Sequence, residues 1–146
     1  MLTLPAEAYA AVLDHCSRAL PDEACGIIAG PAGQPHADVS ATRVVPLANV
    51  ADRPGSRFEF DPTQQLAAYD QMDALREDPV VLYHSHPAGP PVPSPTDVAA
   101  AAGGTCLWLI VAMAGPAPKA RVWAIDGDQV TEHVLQIVDG PSGPPA

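Results

Sequence analysis

The sequence is poor in positive charge. Only 7 of its 146 residues are Lys or Arg, against 17 Asp or Glu, and the formal net charge is −10. Nucleic acids and anionic membrane surfaces attract proteins that present a basic surface. We therefore expect neither a nucleic acid nor a membrane as the partner of this chain.

Long apolar runs and paired cysteines are also lacking. The best apolar run, 106–113, is much shorter than the roughly 20 residues of a membrane-spanning helix and predicts a buried strand. The amino terminus has no basic stretch followed by an apolar one, so we expect no secretion signal. The three cysteines are irregularly spaced, which favours a reducing compartment over a disulfide framework. Together these features predict a cytoplasmic protein.

The pattern of apolar and turn residues predicts one α/β domain. We place it at 1–139, with the Gly- and Pro-rich segment 140–146 as a disordered tail. Helices are expected from Pro5, from Pro62 with Asp61 as N-cap, and after Ser94. Strands are expected over 24–29, 39–47, 57–60, 79–84, 105–113, 121–125 and 129–138, the last two joined by an Asp-Gly hairpin turn. The fold class is therefore α/β: a single domain with a mixed, mostly antiparallel sheet flanked by helices.

Two finer expectations concern the helix that follows Asp61. Gln64 stands at the position of a capping box, where its side chain would bond back to the N-cap. Leu66, Tyr69 and Leu75 lie close to one face of this helix.

Two histidines at the end of a strand carry the main functional prediction. His84 and His86 are one residue apart, so their side chains project from the same side of the strand. Asp97, eleven positions after His86, supplies a carboxylate. Two imidazoles, one carboxylate and an open position are the usual composition of a hydrolytic zinc centre. The motif therefore predicts a metal-dependent hydrolase.

Asp97 and the nearby Ser94 also fit a purely structural interpretation. Ser94 would be the N-cap of a helix that starts at Pro95, and Asp97 would stabilise its first turn. The two interpretations are compatible, because a capped first turn is a rigid mounting for a metal ligand.

The spacing of these residues resembles that of the JAMM, or MPN-plus, metallopeptidases. The resemblance rests on His84-x-His86-Pro87, on Asp97 after a ten-residue gap that contains Pro93-Ser94, and on Glu23 before the Cys25-Gly26 strand. It extends from Pro21 to about Met113 and, more loosely, over nearly the whole chain. It implies the MPN fold, which is similar to that of cytidine deaminases.

The resemblance also implies roles for individual residues. His84, His86 and Asp97 would hold Zn²⁺ with a water in the fourth position. Glu23 would take the proton of this water and pass it to the departing amine. Ser94 would donate a hydrogen bond to the developing oxyanion. The structural alternatives are a solvated carboxylate for Glu23 and an N-cap for Ser94.

Other candidate residues receive structural interpretations. Cys25 lies in an apolar strand and is expected to be a buried thiol rather than a nucleophile. His15, His36 and His133 have no companions at ligand spacing and are expected at the surface. Trp108 and Trp123 lie in strand patterns and are expected in the core.

The family resemblance implies a substrate class. Its members largely cleave after the carboxyl-terminal diglycine of ubiquitin-like proteins, and small prokaryotic members have this chain's length. The short segment 98–104 and the loop 88–92, which lacks an aromatic residue, argue against lysine-63-type polyubiquitin specificity. The leaving group would be a lysine side chain or a single amino acid, such as cysteine on a sulfur-carrier protein.

Two alternatives come from other classes. A non-catalytic scaffold of the same fold would lack the ligands and Glu23, which this chain has. A zinc deaminase would need a Pro-Cys-x-x-Cys ligand pair, which is absent. The oligomeric state stays open between a monomer and a homodimer.

Overall fold

The computed structural model describes residues 1–139; the tail predicted over 140–146 lies outside the described residues. Nine strands and three helices follow one another as β1 (Leu2–Pro5), α1 (Ala6–Ala19), β2 (Cys25–Pro31), β3 (Val39–Ser40), β4 (Arg43–Leu47), α2 (Pro62–Ala74), β5 (Glu77–His86), α3 (Pro95–Ala100), β6 (Leu107–Ala112), β7 (Lys119–Asp126), β8 (Gln129–His133) and β9 (Leu135–Val138). No helix within residues 1–139 is long and apolar enough to cross a membrane.

The larger sheet has six strands in the order β4-β2-β5-β6-β7-β8. Only the pairing of β5 with β6 is parallel, so the prediction of a mixed, mostly antiparallel sheet is confirmed. The strand that carries both histidines is therefore central, with β2 on one side and β6 on the other. Cys25 lies opposite His84, which places the segment just before β2 beside the histidines.

A second, smaller sheet was not predicted. It has the order β3-β1-β9, and both pairings are parallel. The predicted strand over 129–138 breaks at Val134, whose carbonyl accepts a hydrogen bond from the N–H of Leu2. The second half of the predicted strand, β9, therefore does not pair with β7 in the hairpin and pairs with β1 instead.

The large sheet is covered on both faces. Helix α1 buries Ala8, Val12 and Cys16, which recur every four residues along one side of the helix. The opposite face carries α2, which buries Ala68 and Met72, and a separate cluster around Trp108 and Trp123. Both tryptophans are buried, as predicted. The histidines of β5 project between these two clusters.

Two predictions for the segment before α2 are wrong. Residues 57–60 do not form a strand; Phe60 makes only an isolated bridge with Asn49. Asp61 does cap α2, accepting hydrogen bonds from the N–H groups of Thr63 and Gln64. The side chain of Gln64, however, accepts a hydrogen bond from the N–H of Ala48 and forms no capping box.

Tertiary packing, rather than local sequence, decides burial on α2 and at His15. Leu66 and Leu75 are 63% and 53% exposed, since the small Ala68 brings α2 close to the sheet on a different face. His15, expected at the surface, is half-buried, and its Nδ1 lies 2.6 Å from the hydroxyl of Tyr83.

Candidate metal centre

The structure brings His84, His86 and Asp97 together. His84 and His86 end the central strand β5, and Asp97 lies in the first turn of α3. One possible ligand atom from each residue lies within 4.8 Å of the others, and all three side chains are buried. A short loop rich in proline returns the chain from the strand to the helix.

The distances among these atoms suit a small cation. His84 Nε2 is 3.1 Å from His86 Nε2 and 3.1 Å from Asp97 Oδ1, and His86 Nε2 is 3.1 Å from Asp97 Oδ2. Nitrogen ligands about 2.0–2.1 Å from a tetrahedral zinc ion lie about 3.3 Å from each other. A cation at the centre would therefore require shifts of only a few tenths of an ångström.

Hydrogen bonds outside the ligand set orient two of the three side chains. His86 Nδ1 lies 2.7 Å from the carbonyl of Pro90 and must donate to it, which leaves Nε2 as an acceptor for a metal. Asp97 Oδ2 accepts the N–H of Ser94 at 2.9 Å. His84 is held by packing instead: its ring stacks on Phe58, with centroids 4.6 Å apart, and meets the edge of Trp108.

The electrostatics of the centre favour positive charge between its members. Burial opposes ionisation of Asp97, but hydrogen bonds from His84 and His86 outweigh it and hold the pKa of Asp97 well below its usual range. Burial lowers the pKa of His84. For His86, the bonds to Asp97 and Pro90 outweigh burial and raise its pKa. The ionised carboxylate of Asp97 and the neutral imidazole of His84 are two of the donors that a hydrolytic zinc centre uses.

Glu23 and His86 line the same cavity. It is only 5% exposed, and its Oε1 has no hydrogen-bond partner among the described residues. Burial is the main cause that raises its pKa to about 7; Asp97 also raises it, and His86 lowers it. A carboxyl group that titrates near neutral pH suits a general base. A buried carboxylate oxygen without a hydrogen-bond partner costs free energy. This cost also indicates that Glu23 contacts a further group when the protein functions.

The cavity beside the centre has a volume of about 420 Å³. Glu23, Ser94 and His86 contribute polar groups to it. The remainder of its wall is small or apolar and comes from two segments: Gly55, Ser56, Pro87, Ala88, Gly89, Pro90, Val92 and Pro93.

Comparison with known proteins identifies the family. Residues 5–126 match the family described as prokaryotic homologs of the JAB domain. The chain belongs to this family. The resemblance to JAMM metallopeptidases is thereby confirmed.

Relatives and solved structures agree with this assignment. The CysO-cysteine peptidase of Mycobacterium tuberculosis is 34% identical over 95% of this chain and 92% of its own. The desampylase of Haloferax volcanii is 32% identical over 90% and 92%. A solved protein from Desulfitobacterium hafniense superposes with a TM-score of 0.87 and 32% identity, covering 99% of this chain and 97% of the other. A JAB1/MPN domain protein from Archaeoglobus fulgidus has the same fold, with a TM-score of 0.61 and 15% identity over 94% and 97%. The chain is a JAB-type hydrolase.

Ser94 is the N-cap of α3, which was its structural interpretation. Its Oγ accepts the N–H of Asp97 at 3.1 Å, and its own N–H donates to the Asp97 carboxylate, which completes a capping box. This reciprocal pair fixes the first turn of α3 and the Asp97 carboxylate that it carries. Ser94 also lines the cavity of this JAB domain, so a catalytic role remains a prediction.

Cys25 behaves as a buried thiol. It is fully buried, and its Sγ lies 3.7 Å from the carbonyl of Leu47. Burial, reinforced by the nearby Glu23, raises its pKa to about 12, so the reactive thiolate is suppressed at neutral pH.

Sequence reasoning missed several residues that organise the site. The motif itself contained one of them, Ser85, whose side chain links the histidine strand to the segment of Glu23. Phe58 was assigned to a strand rather than to the ring that stacks on His84. Asn49 carried no recognisable signal, because its partners are distributed over a loop.

Proposed function

We propose that this JAB domain is a zinc peptidase that hydrolyses the amide bond after the carboxyl-terminal diglycine of a ubiquitin-like or sulfur-carrier protein. The observation that carries the proposal is the meeting of three ligand atoms within 4.8 Å, with the buried carboxyl group of Glu23 beside the same cavity. All four residues come from one chain, so the site needs no second copy.

His84, His86 and Asp97 would hold the zinc ion. Zinc bound by three protein ligands lowers the pKa of a coordinated water to about 7 and polarises a carbonyl group. Glu23, whose own pKa is raised to about 7, is suited to accept a proton near neutral pH and to return it to the departing amine. The hydroxyl of Ser94 accepts from Asp97 and keeps its hydrogen free to donate to a carbonyl oxygen in the cavity.

The cavity suits a tail without side chains. Its wall consists mainly of glycines, prolines and other small residues, and its titratable lining residues are Glu23 and His86. An extended Gly-Gly segment fits such a space, whereas bulky or charged side chains would collide with it or lose their hydration. The names of the relatives point the same way, since they describe proteins that act on CysO, on sampylated proteins and on TtuB conjugates.

The leaving group has two candidates. A lysine side chain is favoured by the desampylase relative, and a single cysteine is favoured by the CysO-cysteine peptidase relative. Segment 98–104, which joins Asp97 to β6, contributes no residue to the cavity wall and so favours neither leaving group. We rank isopeptide cleavage first and release of a single amino acid second.

One experiment tests both. Two substrates built on the same ubiquitin-fold protein, one ending in Gly-Gly-Cys and one joined through Gly-Gly to a lysine side chain, are incubated with the protein, with and without a chelator. We expect zinc-dependent cleavage after the diglycine of at least one substrate and its loss in Glu23→Ala. The exposed Glu59 provides the control Glu59→Gln, which should retain activity. Absence of cleavage in zinc-loaded protein would refute the proposed function.

A non-catalytic scaffold is the alternative from another class. It has no need of three buried ligands or of a buried carboxyl group without a hydrogen-bond partner on Oε1. Purified protein that contains no zinc and takes up none would favour this alternative. A cytoplasmic location belongs to the same proposal and is supported by three free thiols, those of Cys16, Cys25 and Cys106.

A further inference from the structure

The side chain of Asn49 connects Glu23 to the loop at residues 50–60. Its Nδ2 donates to the backbone carbonyls of Glu23 at 3.0 Å, Arg57 at 3.0 Å and Pro54 at 3.3 Å. Two N–H groups thus serve three carbonyls, so one hydrogen bond is shared. Of these partners, Glu23 lines the cavity, and Pro54 and Arg57 belong to the loop.

The carboxamide oxygen of Asn49 completes this arrangement. Oδ1 accepts the N–H of Ala51 at 3.0 Å and the N–H of Glu59 at 3.1 Å. Five backbone groups, spread over 37 positions of sequence from residue 23 to residue 59, therefore converge on one side chain. The loop at residues 50–60 contains no strand or helix. The side chain of Asn49 adds to the few backbone hydrogen bonds that hold it, such as that from the N–H of Val50 to the carbonyl of Glu59.

The loop folded around Asn49 forms one wall of the cavity. Gly55 and Ser56 line the space that Glu23 and His86 also line. The N–H of Glu23 donates to Pro54 at 2.7 Å, so the base and the wall also touch directly. Asn49 donates hydrogen bonds to the carbonyls of both Glu23 and Pro54, which fixes these two residues relative to each other.

We propose that Asn49 is a positioning residue for the hydrolysis: it holds the backbone of Glu23 and the wall formed by Gly55 and Ser56 in one fixed relation. The proposal rests on the function proposed above for Glu23. A misplacement of about 1 Å in a reacting group can reduce the rate about 100-fold, so a fixed backbone at Glu23 has a direct consequence for turnover. Asn49 itself is not among the residues that line the cavity.

The simpler interpretation is that Asn49 only stabilises a loop. Gln64 offers a matched comparison, because its Oε1 accepts the N–H of Ala48 at 2.7 Å, one residue away, without touching Glu23 or the cavity wall. If the loss of any side chain that stabilises this segment lowered kcat, variants of both Asn49 and Gln64 would show it. A positioning effect would appear only at Asn49.

The test compares Asn49→Asp and Asn49→Ala with Gln64→Ala. Asn49→Asp keeps the shape and the accepting oxygen, but it replaces both donors by an oxygen that faces three carbonyls. For both Asn49 variants we expect faster amide exchange at Glu23, a kcat lowered at least about tenfold, and zinc affinity within about twofold of the original. Gln64→Ala should leave kcat and the exchange at Glu23 unchanged.

Several results would overturn the proposal. These are folded Asn49 variants with unchanged kcat and unchanged exchange at Glu23, an equal loss of kcat in Gln64→Ala, or failure of both Asn49 variants to fold, which would make the role purely one of stability. A double variant adds a further criterion, since Asn49→Ala should reduce residual turnover little further when Glu23→Gln is already present. Amide exchange needs no substrate, so it separates this proposal from the proposed function.

Discussion

The hydroxyl of Ser85 accepts a hydrogen bond from the N–H of Ala24 at 2.8 Å. Ser85 lies between His84 and His86, and Ala24 follows Glu23. The backbone N–H of Ser85 also donates to the carbonyl of Ala24 at 3.1 Å. Because alternate residues of a strand face opposite sides, His84 and His86 share one face of their strand, and Ser85, on the other face, bonds this strand to the segment that carries Glu23.

Ser85→Ala should therefore lower stability and turnover more than metal binding. It leaves the buried N–H of Ala24 without its partner, which costs about 1–3 kcal/mol. Chemical denaturation measures the stability, and zinc titration measures the affinity, which we expect to change little. The exposed Ser17 gives the control Ser17→Ala. A Ser85→Ala protein as stable as the original would contradict this account.

Asp97→Asn should impair metal binding. The amide keeps the size of the carboxylate but removes the charge that the imidazoles stabilise. Loss of a hydrogen-bond partner of a ligand already reduces metal affinity about 10- to 100-fold, so loss of a charged ligand should reduce it more than about 100-fold. Competition with a chromophoric chelator measures the dissociation constant. Retention of tight zinc binding would show that Asp97 is not a ligand.

Glu23→Gln should stabilise the metal-free protein at alkaline pH. The folded state raises the pKa of Glu23 from 4.5 to about 7, so between these values the folded protein binds more protons than the unfolded chain. Stability in the original protein therefore falls as pH rises through that window, by an amount on the order of 3 kcal/mol. Glutamine does not titrate, so the variant should be the more stable protein at pH 8, and the difference should shrink towards pH 4. Denaturation curves at both pH values in chelator measure it, and equal stability at pH 8 would contradict it.

Gly26→Ala should destabilise the strand that carries the histidines. An added Cβ would collide with the ring of Tyr83, which is fully buried. Overpacking of this kind costs about 1–3 kcal/mol. Gly104→Ala is a suitable control, because its Cβ would be 3.4 Å from the nearest atom. Thermal unfolding of both variants tests the prediction, and equal melting temperatures would contradict it.

Local sequence signals predicted the parts of this molecule that depend on local structure. The His-x-His spacing and the helix start at Ser94 are determined within a few residues, and the structure places these side chains together. Glu23 lies 61 positions before His84 and was reached through family resemblance rather than spacing. Its partner Asn49 could not be found, since its five hydrogen bonds depend on how a loop folds.

The errors have related causes. The alternating residues 57–60 resemble a strand, but their backbone partners are the side chain and backbone of the segment 49–50. The second sheet joins β1 to β9 from opposite ends of the described chain, a pairing that no local pattern encodes. On α2, the choice between Leu66 and Ala68 as the buried residue depends on how closely the helix approaches the sheet.

Anomalous diffraction at the zinc absorption edge, on crystals of the zinc-loaded protein, tests the central claim most directly. The account predicts one strong peak about 2.0–2.2 Å from His84 Nε2, His86 Nε2 and an Asp97 carboxylate oxygen, beside the carboxyl group of Glu23. A peak elsewhere, or no peak at these three side chains, would contradict it.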